Sequence, residues 1–320
     1  MFLYNYYPNS VLLDLGFFHV RWYGVIIALA VASGFLVFYK LYCCVGTMHN
    51  IVQQKNTTIS GNPNRTLQCN VPTDIVYNIF FYIIIFSIIG ARLFHILSFY
   101  KYYSQHLLEI FYIWNGGLSF YGAFITGLLV MFYFSKDQET EKLNARLSSP
   151  DTAVKKKFTN KPFITLLLYY FITLIKSRVK NFLILIDIAV IALSLSQSIG
   201  RWGNYFNQEL FGKPCDYFWC IPIQNLSGHF HPVFLYESLL MLLVFFILLF
   251  IFKKKYILGF TSALYLILHA SIRFGLEFLR LDIQPEFLNL RLFQYIAVLE
   301  FLAGIILLIF VKKWYNKKVI

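Results

Sequence analysis

Residues 232–252 read PVFLYESLLMLLVFFILLFIF, and this run decides the fold class of the chain. Its only charged side chain is that of Glu237, and about 20 mostly apolar residues are enough to cross the hydrocarbon core of a bilayer. Six similar runs, rich in Phe, Ile and Leu, occupy 22–42, 75–99, 118–135, 181–199, 257–276 and 293–311. We therefore predict an all-α integral membrane protein with seven transmembrane helices.

The composition of the chain excludes a soluble fold. Apolar residues make up 58% of the 320 residues and charged residues only 13%, so one water-soluble core could not hide the apolar surface. The net charge of +13 does not indicate nucleic-acid binding, because Lys and Arg lie in the loops between apolar runs and form no basic stripe on a soluble face. We expect membrane lipids as partners and no nucleic acid.

The cysteines show no pattern typical of a metal site. They form no CxxC pair and have no cluster of His at metal spacing, so we predict no metal. A local disulfide between Cys215 and Cys220 remains open from the sequence. The five cysteines are Cys43, Cys44, Cys69, Cys215 and Cys220.

The distribution of positive charge predicts which side of the membrane each loop faces. Twenty of the 28 Lys and Arg residues lie in 40–72, 136–180, 253–255 and beyond residue 311, whereas six lie in the alternate loops. Cytoplasmic loops carry the excess of Lys and Arg. The N-terminus is therefore predicted to be outside and the C-terminus cytoplasmic.

We expect residues 1–320 to form a single membrane domain. Residues 1–19 contain aromatic residues but no Lys or Arg, which indicates an interfacial arm and no cleaved leader. A stretch of 13 residues, 163–175, is too short to span and is predicted to be a short interfacial helix. The other segments are a cytoplasmic loop at 44–72, a cytoplasmic Lys-rich insertion at 136–180 that contains this helix, and an exoplasmic signature loop and arm at 200–231.

The sixth predicted span carries a stripe of polar side chains. His269, Arg273, Glu277 and Arg280 are spaced four, four and three apart, which puts them on one helical face. Ionisable groups at membrane depth cost several kcal/mol unless they are paired or hydrated, so each is a functional candidate. The alternative is that Arg273 and Glu277 form a buried pair that only fixes helix packing.

The most concentrated polar block is GRWGNYFNQELFG, residues 200–212. Its glycines permit close approach of a ligand to the backbone, and Arg201, Asn204, Asn207 and Glu209 supply donors and a carboxylate. This chemistry suits a lipid headgroup site. A re-entrant loop that satisfies its own backbone is the simpler alternative.

Two further clusters lie on the same predicted side. WNGGLSFYG, residues 114–122, opens the third span, and its glycines are also compatible with close helix packing. HPVFLYE, residues 231–237, places Tyr236 at the exoplasmic rim. Among other polar residues in spans, His95 is expected to pack and Asp187 to serve structure by pairing with Lys180 or an Arg.

On these residues the chain closely resembles the prolipoprotein diacylglyceryl transferase family. Residues 200–212 match the family signature G-R-x-G-N-F-x-N-x-E-x-x-G except that Tyr205 replaces Phe. The likeness covers nearly the whole chain apart from the two cytoplasmic segments. The other matching elements are Trp22-Tyr23-Gly24, Gly90-Ala91-Arg92, the Gly116–Gly122 run, His231-Pro232 with Leu235-Tyr236-Glu237, and Arg273-Phe274 with Glu277-Phe278 and Arg280.

The resemblance implies seven spans and a reaction in a bacterial plasma membrane, with the active site toward the exoplasmic face. The sn-1,2-diacylglyceryl group of phosphatidylglycerol passes to the thiol of the lipobox cysteine in a prolipoprotein signal peptide, glycerol phosphate is released, and no cofactor is needed. By their positions in the pattern, eight residues are expected to have the site roles of the family: Tyr23, Arg92, Arg201, Asn204, Glu209, Gly212, Arg273 and Glu277.

Two positions depart from the family pattern. Tyr121 stands where many members have a histidine proposed as catalytic, and His269 stands where many have a tyrosine. The first change argues against a histidine base on the third span. The second places an imidazole on the sixth span near Arg273, and we treat His269 as a hypothetical replacement base.

The residue types suggest which residues bind the phosphate, which are catalytic and which bind other parts of the substrate. Arginine stays charged in a low dielectric and grips phosphate oxygens bidentately, so Arg201 and Arg273 are the predicted phosphate clamps. The predicted catalytic residues are Arg201, Arg273, His269, Tyr121 and Glu209. The predicted substrate-binding residues are Tyr23, Arg92, Asn204, Gly212, Glu277, Asn207 and Tyr236, with Glu277 holding Arg273 in place.

Other classes of protein remain in competition at this stage. A transporter or channel for an anionic or lipid-like solute also places arginines within spans. A membrane scaffold is a third reading, but it gives no reason for the clustering of Arg, Asn and Glu on one side.

Overall fold

A computed structural model describes residues 4, 6–16, 19–55, 73–112, 117–135, 163–254, 257–282 and 284–319. Most of these residues are helical. The helices are α1 (Trp22–Lys55), α2 (Thr73–Ser98), α3 (Tyr100–Tyr103), α4 (Phe120–Phe134), α5 (Phe163–Phe206), α6 (Val233–Lys254), α7 (Phe260–Glu277) and α8 (Leu292–Val319), with a 3-10 helix at Leu107–Phe111. All seven predicted apolar runs are helical, as expected.

Three short antiparallel hairpins accompany the helices, so the described chain is mostly but not wholly helical. They pair β1 (Val11–Asp14) with β2 (His19–Arg21), β3 (Ile221–Pro222) with β4 (His229–Phe230), and β5 (Glu286–Phe287) with β6 (Leu290–Arg291). The first hairpin precedes α1, and the other two lie in segments between helices. Gly and polar residues interrupt the apolar periodicity in these segments.

Several helices extend beyond their apolar runs. Helix α1 continues to Lys55, into the stretch predicted as a loop. Helix α5 is continuous over 44 residues, so residues 163–175 are its first turns and not a separate helix. Its last turn reaches Phe206, and the first half of the signature block is therefore helical. Hydrophobic periodicity locates a helix but does not mark where its polar ends stop.

Among the described residues, five helices are long and apolar enough to cross a membrane: Trp22–Val45, Val76–Ser98, Arg178–Phe206, Val233–Lys254 and Leu292–Lys313. Helix α4 is apolar but has only 15 residues. Helix α7, which carries His269, Arg273 and Glu277, is not among these five. Arg280 lies beyond the last residue of α7, so the predicted stripe of four residues is helical only as far as Glu277. The chain is a multi-pass helical membrane protein.

Helix α6 shows why the bilayer must be its solvent. Leu239, Leu243, Phe246 and Phe250 are each more than half exposed, and their spacing places them on one face of the helix. Met241 on another face is only 1% exposed. A contiguous apolar face of this kind would be unfavourable in water, and lipid chains satisfy it.

The chain divides into two compact units. The larger unit comprises Met1–Leu41 with Asp187–Ile320, and the smaller unit comprises Tyr42–Ile186. Helices α1 and α5 contribute residues to both.

In the smaller unit, α2 and α4 pack against each other through glycines. A Cβ on Gly122 would lie 2.1 Å from the carbonyl oxygen of Gly90, and a Cβ on Gly90 would lie 2.3 Å from the side chain of Thr126. Small residues at such crossings let two backbones approach closely in a membrane. The Gly90 and Gly122 motifs therefore serve helix packing.

In the larger unit, small polar residues join the helices. Ser198 Oγ donates to the Ser238 carbonyl oxygen at 2.8 Å, and Ser238 Oγ donates to the Ser198 carbonyl oxygen at 2.8 Å, which ties α5 to α6. Ser196 Oγ lies 2.8 Å from the Ala30 carbonyl oxygen and ties α5 to α1. Hydrogen bonds between helices are favourable where water does not compete.

Asp187 has the structural role expected of it, and it takes this role by binding backbone N–H groups of another helix. Its carboxylate, 0% exposed, accepts the Gly259 N–H at 2.6 Å and the Ser262 N–H at 2.8 Å. These groups lie at the start of α7, where backbone N–H groups have no acceptor within the helix and favour a negative charge. Asp187 therefore caps α7 from α5.

We predict that Gly122→Ala destabilises the protein by about 1–3 kcal/mol, because the new methyl overpacks the α2–α4 contact. Thermal unfolding in detergent measures the change. The matched control is Gly127→Ala on the same helix, whose Cβ would meet only Ser87 Oγ at 3.3 Å. It should be neutral or slightly stabilising, since alanine favours a helix over glycine by about 1 kcal/mol. Equal unfolding temperatures for the two variants would contradict the packing role.

Candidate active site

Arg201 and Arg273, the two predicted phosphate clamps, lie close together. Arg201 is in the last turns of α5, and its Nη2 lies 2.5 Å from Oε1 of Glu237 on α6. Arg273 on α7 places Nη1 3.9 Å from the same oxygen. Glu237 is only 4% exposed. One buried carboxylate thus brings arginines from two other helices to a common point.

Glu277 forms a second centre of charge one turn further along α7. Its carboxylate, 0% exposed, lies 3.4 Å from Arg273 Nη2, 3.1 Å from Arg291 Nη1 and 3.9 Å from Arg280 Nε. Gln284 donates to it at 2.8 Å. The expected pair between Arg273 and Glu277 is confirmed, within a larger network than the sequence indicated.

The segment after α7 completes this network. Asp282 accepts from Arg280 Nε at 2.8 Å and from the Gln284 amide. Burial raises the pKa of the Asp282 carboxyl, but the hydrogen bonds from Arg280 and Gln284 and the charges of Arg280 and Arg291 outweigh burial and hold that pKa below its ordinary value. Arg291 also donates to the carbonyl oxygens of Glu277 and Arg280 at 3.0 Å. The hairpin that carries Arg291 is thereby tied to the end of α7.

The network as a whole carries one formal positive charge in excess. It contains four guanidinium groups and three carboxylates, which belong to Arg201, Arg273, Arg280, Arg291, Glu237, Glu277 and Asp282. Nη1 of Arg280 is a buried donor without a hydrogen-bond partner among the described residues. Such a site favours an anion with several oxygen atoms.

The signature block contributes backbone geometry as well as side chains. A Cβ on Gly203 would lie 2.9 Å from the ring of Tyr23, and a Cβ on Gly212 would lie 2.9 Å from each of His231, Val233 and the Leu279 carbonyl oxygen. Gly212 N–H also donates to the His231 carbonyl oxygen at 2.9 Å. Both glycines are therefore positions where a neighbouring part of the chain approaches closely. Gly212 lies in the segment after α5 and contacts both the start of α6 and the segment that follows α7.

The polar side chains of the block divide between interior and surface. Asn204 is buried, and its carbonyl oxygen accepts the Glu209 N–H at 3.0 Å. Asn207 and Glu209 are exposed and contact each other, with Asn207 Nδ2 3.4 Å from Glu209 Oε1. Glu209 thus belongs to a surface pair at the end of α5.

A cavity of about 540 Å³ opens beside this pair. Tyr23 and Asn207, both predicted to bind substrate, contribute to its walls. Its lining consists of His19, Val20, Arg21, Tyr23, Gly24, Val25, Ala28 and Asn207. The N-terminal hairpin and the start of α1 therefore form a hollow against the signature block.

His269 pairs with an acid that the sequence did not single out. Its Nδ1 lies 2.8 Å from Oε1 of Glu300 on α8. The ring of Tyr265 stacks on the imidazole with centroids 5.4 Å apart, and the Tyr265 hydroxyl donates to Gln197 Oε1 at 3.0 Å. Groups from three helices thus hold the imidazole in place.

Tyr236 is held by two aromatic neighbours. Its hydroxyl oxygen accepts from Trp219 Nε1 at 2.8 Å and lies 3.0 Å from His231 Nδ1. Cys215 and Cys220 form a disulfide that closes the loop carrying Trp219, which resolves the pairing that the sequence left open. Ligand atoms of the two cysteines and His231 lie within 4.8 Å of one another, but disulfide sulfurs cannot act as the thiolates that bind metal.

The smaller unit contains the two remaining predicted site residues. Arg92 is buried and donates from Nε to the Ile110 carbonyl oxygen at 2.9 Å, from Nη1 to that of Gly117 at 3.1 Å, and from Nη2 to that of Glu109. It thereby holds the connection between α2 and α4. Tyr121 is 46% exposed and packs against Phe94.

Part of the cluster at 114–122, namely residues 114–116, lies outside the described residues. At Gly117 the backbone φ is +72° and a Cβ would lie 2.7 Å from Arg92 Nη1. A side chain at this position would be strained and would also disturb Arg92.

Sequence reasoning missed four side chains that complete the site: Glu300, Asp282, Gln284 and Arg291. Glu237 is the one charge in its apolar run and part of the family pattern, but it is not among the site residues predicted from the sequence. A lone acid in an apolar run is costly without a partner, and this cost indicates a site role. Nothing in the spacing shows that Glu300 meets His269.

Together these features define a helical membrane protein with a polar, arginine-rich centre built from α5, α6, α7 and α8. The family model for prolipoprotein diacylglyceryl transferase matches residues 10–148 and 163–310. The chain therefore belongs to the prolipoprotein diacylglyceryl transferase family and is a transferase of lipoprotein biosynthesis.

Similar proteins from distant bacteria cover almost the whole chain. A phosphatidylglycerol–prolipoprotein diacylglyceryl transferase of Prochlorococcus marinus strain MIT 9301 is 31% identical over 95% of this chain and 93% of its own length. Proteins of the same name from Finegoldia magna and Fervidobacterium nodosum are 30% and 32% identical, over 92% and 86% of this chain and 92% and 75% of their own lengths.

We predict that Glu277→Gln destabilises the protein by about 3–5 kcal/mol, because it removes the fully buried carboxylate that contacts three arginines and leaves four guanidinium groups with two carboxylates. The amide would also meet donors where it now accepts. Thermal unfolding of the purified protein measures the loss. Asp14→Asn is the matched control: its partner is His19 at 2.9 Å and both side chains are more than half exposed, so the cost should stay below about 1 kcal/mol. A similar small cost for Glu277→Gln would show that the network is not essential for stability.

Proposed function

We propose that the chain transfers the sn-1,2-diacylglyceryl group of phosphatidylglycerol to the thiol of a lipobox cysteine, and that glycerol phosphate leaves. The observation that carries the proposal is the convergence of Arg201, from the start of the signature block, and Arg273 on the buried carboxylate of Glu237. Family membership supports the same reaction. Phosphatidylglycerol and a prolipoprotein signal peptide are the proposed substrates, and the transfer requires no cofactor.

The chemistry explains why two arginines are needed. A C–O bond to phosphate breaks, so negative charge develops on the leaving phosphate oxygens. Preorganised guanidinium groups in a site shielded from water stabilise that charge strongly. Two cations share Glu237, and a lipid phosphate would supply a second anion for Arg201 and Arg273. Glu277 holds Arg273 from the other side.

The remaining predicted residues take further roles in the proposed reaction. Asn204 bonds glycerol or ester oxygens, and Tyr23 and Tyr121 orient the thiol or the headgroup. Glu209 or His269 accepts the thiol proton. Arg92, whose guanidinium donates to backbone carbonyl oxygens, contributes by shaping the α2–α4 connection.

We place the protein in a bacterial plasma membrane with seven spans, a cytoplasmic C-terminus and the active site toward the exoplasmic face. The charge distribution between the loops supports this orientation. In the same arrangement residues 1–19 lie at the exoplasmic interface, 200–231 form the exoplasmic loop and arm, and 44–72 and 136–180 are cytoplasmic. The disulfide between Cys215 and Cys220 fits an oxidising exoplasmic side.

A mass measurement tests the proposed reaction. The purified protein is incubated in liposomes that contain phosphatidylglycerol, together with a lipobox peptide. We expect the peptide to gain the mass of one diacylglyceryl group, and liposomes without phosphatidylglycerol should leave it unchanged. An unmodified peptide, together with uptake of an anionic solute by the same liposomes, would favour a transporter and refute the transferase.

For the phosphate clamp, we predict that Arg201→Lys lowers kcat by at least about 100-fold, because lysine keeps the charge but cannot bond bidentately. The same peptide assay measures the rate. Arg178→Lys on α5, whose guanidinium lies over the Phe132 ring, is the matched control and should retain activity. Near-normal activity of Arg201→Lys would show that the reaction does not need bidentate binding of the phosphate by Arg201.

A further inference from the structure

Helices α7 and α8 share a histidine–carboxylate pair that the family resemblance does not explain. His269 Nδ1 and Glu300 Oε1 are 2.8 Å apart, and their side chains are only 20% and 22% exposed. The two residues are 31 positions apart in the chain. A partly buried pair of this kind is either an orienting contact or a packing contact.

The contact decides which imidazole nitrogen carries the proton. An ionised carboxylate can only accept hydrogen bonds, so Nδ1 must be the donor to Glu300. In the neutral imidazole the proton then lies on Nδ1, and Nε2 keeps its lone pair. Glu300 therefore selects the tautomer that can accept a proton at Nε2.

The ring is held in one orientation at a place close to the arginines. Tyr265 stacks on it, with an angle of 14° between the rings, and Tyr265 is itself tied to Gln197 of α5. Tyr265, His269 and Arg273 follow one another at intervals of four residues along α7. Side chains at that spacing lie about 5–6 Å apart at Cβ on one helical face.

We propose that Glu300 is a positioning residue that makes His269 the proton acceptor for the lipobox thiol. This inference rests on the proposed transferase function and names the base that the replacement of histidine by Tyr121 leaves unassigned. A neutral imidazole fixed by a carboxylate on its far nitrogen is the arrangement that general-base catalysis requires.

The proposed step balances without any further reactant. Nε2 of His269 takes the proton of the thiol, and the sulfur electron pair forms an S–C bond to the terminal glyceryl carbon. The C–O bond from that carbon to the phosphate breaks, and its electron pair leaves with glycerol phosphate. Glu300 stabilises the imidazolium, which then returns its proton to water or to the product phosphate.

The charged and titratable groups around His269 come from four helices. Glu300 faces it from α8, and Tyr265 and Arg273 flank it on α7. Arg273 is in turn paired with Glu237 of α6, which also binds Arg201 of α5. A change in the dependence of the rate on pH could come from any of these groups. The experiment therefore includes His269→Ala, which removes the imidazole and leaves the other groups in place.

The experiment compares Glu300→Gln, His269→Ala and the double variant in the peptide assay from pH 6 to 9.5. We expect Glu300→Gln to lower kcat at least 10-fold at pH 7, because an amide can donate to Nδ1 and stabilise the wrong tautomer. The loss should be largest near neutral pH, where the thiol needs a base. His269→Ala should show the same dependence of the loss on pH, and the double variant should match His269→Ala.

A second readout uses the thiol itself. A cysteine thiol with a pKa of about 8.5 is mostly ionised at pH 9.5 and no longer needs a base. Both single variants should therefore recover towards the wild-type rate at pH 9.5, whereas a defect in packing would persist. Glu286→Gln on the exposed β5 strand is the matched control and should leave rate and profile unchanged.

The failure of this inference can be told apart from that of the transferase. If the wild-type protein does not modify the peptide, the proposed function fails first. If the wild type is active and Glu300→Gln behaves like Glu286→Gln, the positioning role is overturned. Effects of the two variants that multiply, or a defect that persists unchanged at pH 9.5, would do the same. Because the ratio of the rates at pH 7 and pH 9.5 does not depend on the amount of folded enzyme, partial unfolding of Glu300→Gln does not obscure the result.

Discussion

The pairing of buried arginines with Glu237 and Glu277 is the constraint on which the rest of the structure depends. Burying a guanidinium in an apolar surrounding is costly, and the cost is recovered only when a carboxylate lies in good geometry beside it. Glu277 contacts three arginines and Glu237 contacts two. These contacts link α5, α6 and α7 with the segment that precedes α8, so the ends of four helices are tied together by charge.

The same contacts prepare the site for an anionic substrate. An arginine that is already desolvated and held by a carboxylate needs little reorganisation when charge develops on a phosphate. The excess of one positive charge in the network leaves room for a further anion. Arg273, which is held between Glu237 and Glu277, would meet both requirements: it is paired in the folded protein and it is preorganised for the proposed phosphate binding.

The structure shows which contacts are made by the two residues that depart from the family pattern. Tyr121, at a position where the resemblance leads one to expect a histidine, is an exposed ring beside Phe94. His269, at a position where a tyrosine is expected, lies on α7 with Glu300 as its partner. Conversely, Arg92 and Gly212, for which the family pattern implies site roles, make contacts that shape the chain around the site.

The sequence by itself determined the helical membrane class, the positions of the seven apolar helices, the polar stripe on α7 and the family. These properties are local: apolar run length and helical spacing depend on neighbouring residues alone. Only the tertiary structure decided that Arg201 meets Glu237, that Asp187 caps α7 and that Glu300 holds His269. Helical periodicity shows which face of a helix is polar, but the partner of that face is set by the packing of helices far apart in the chain.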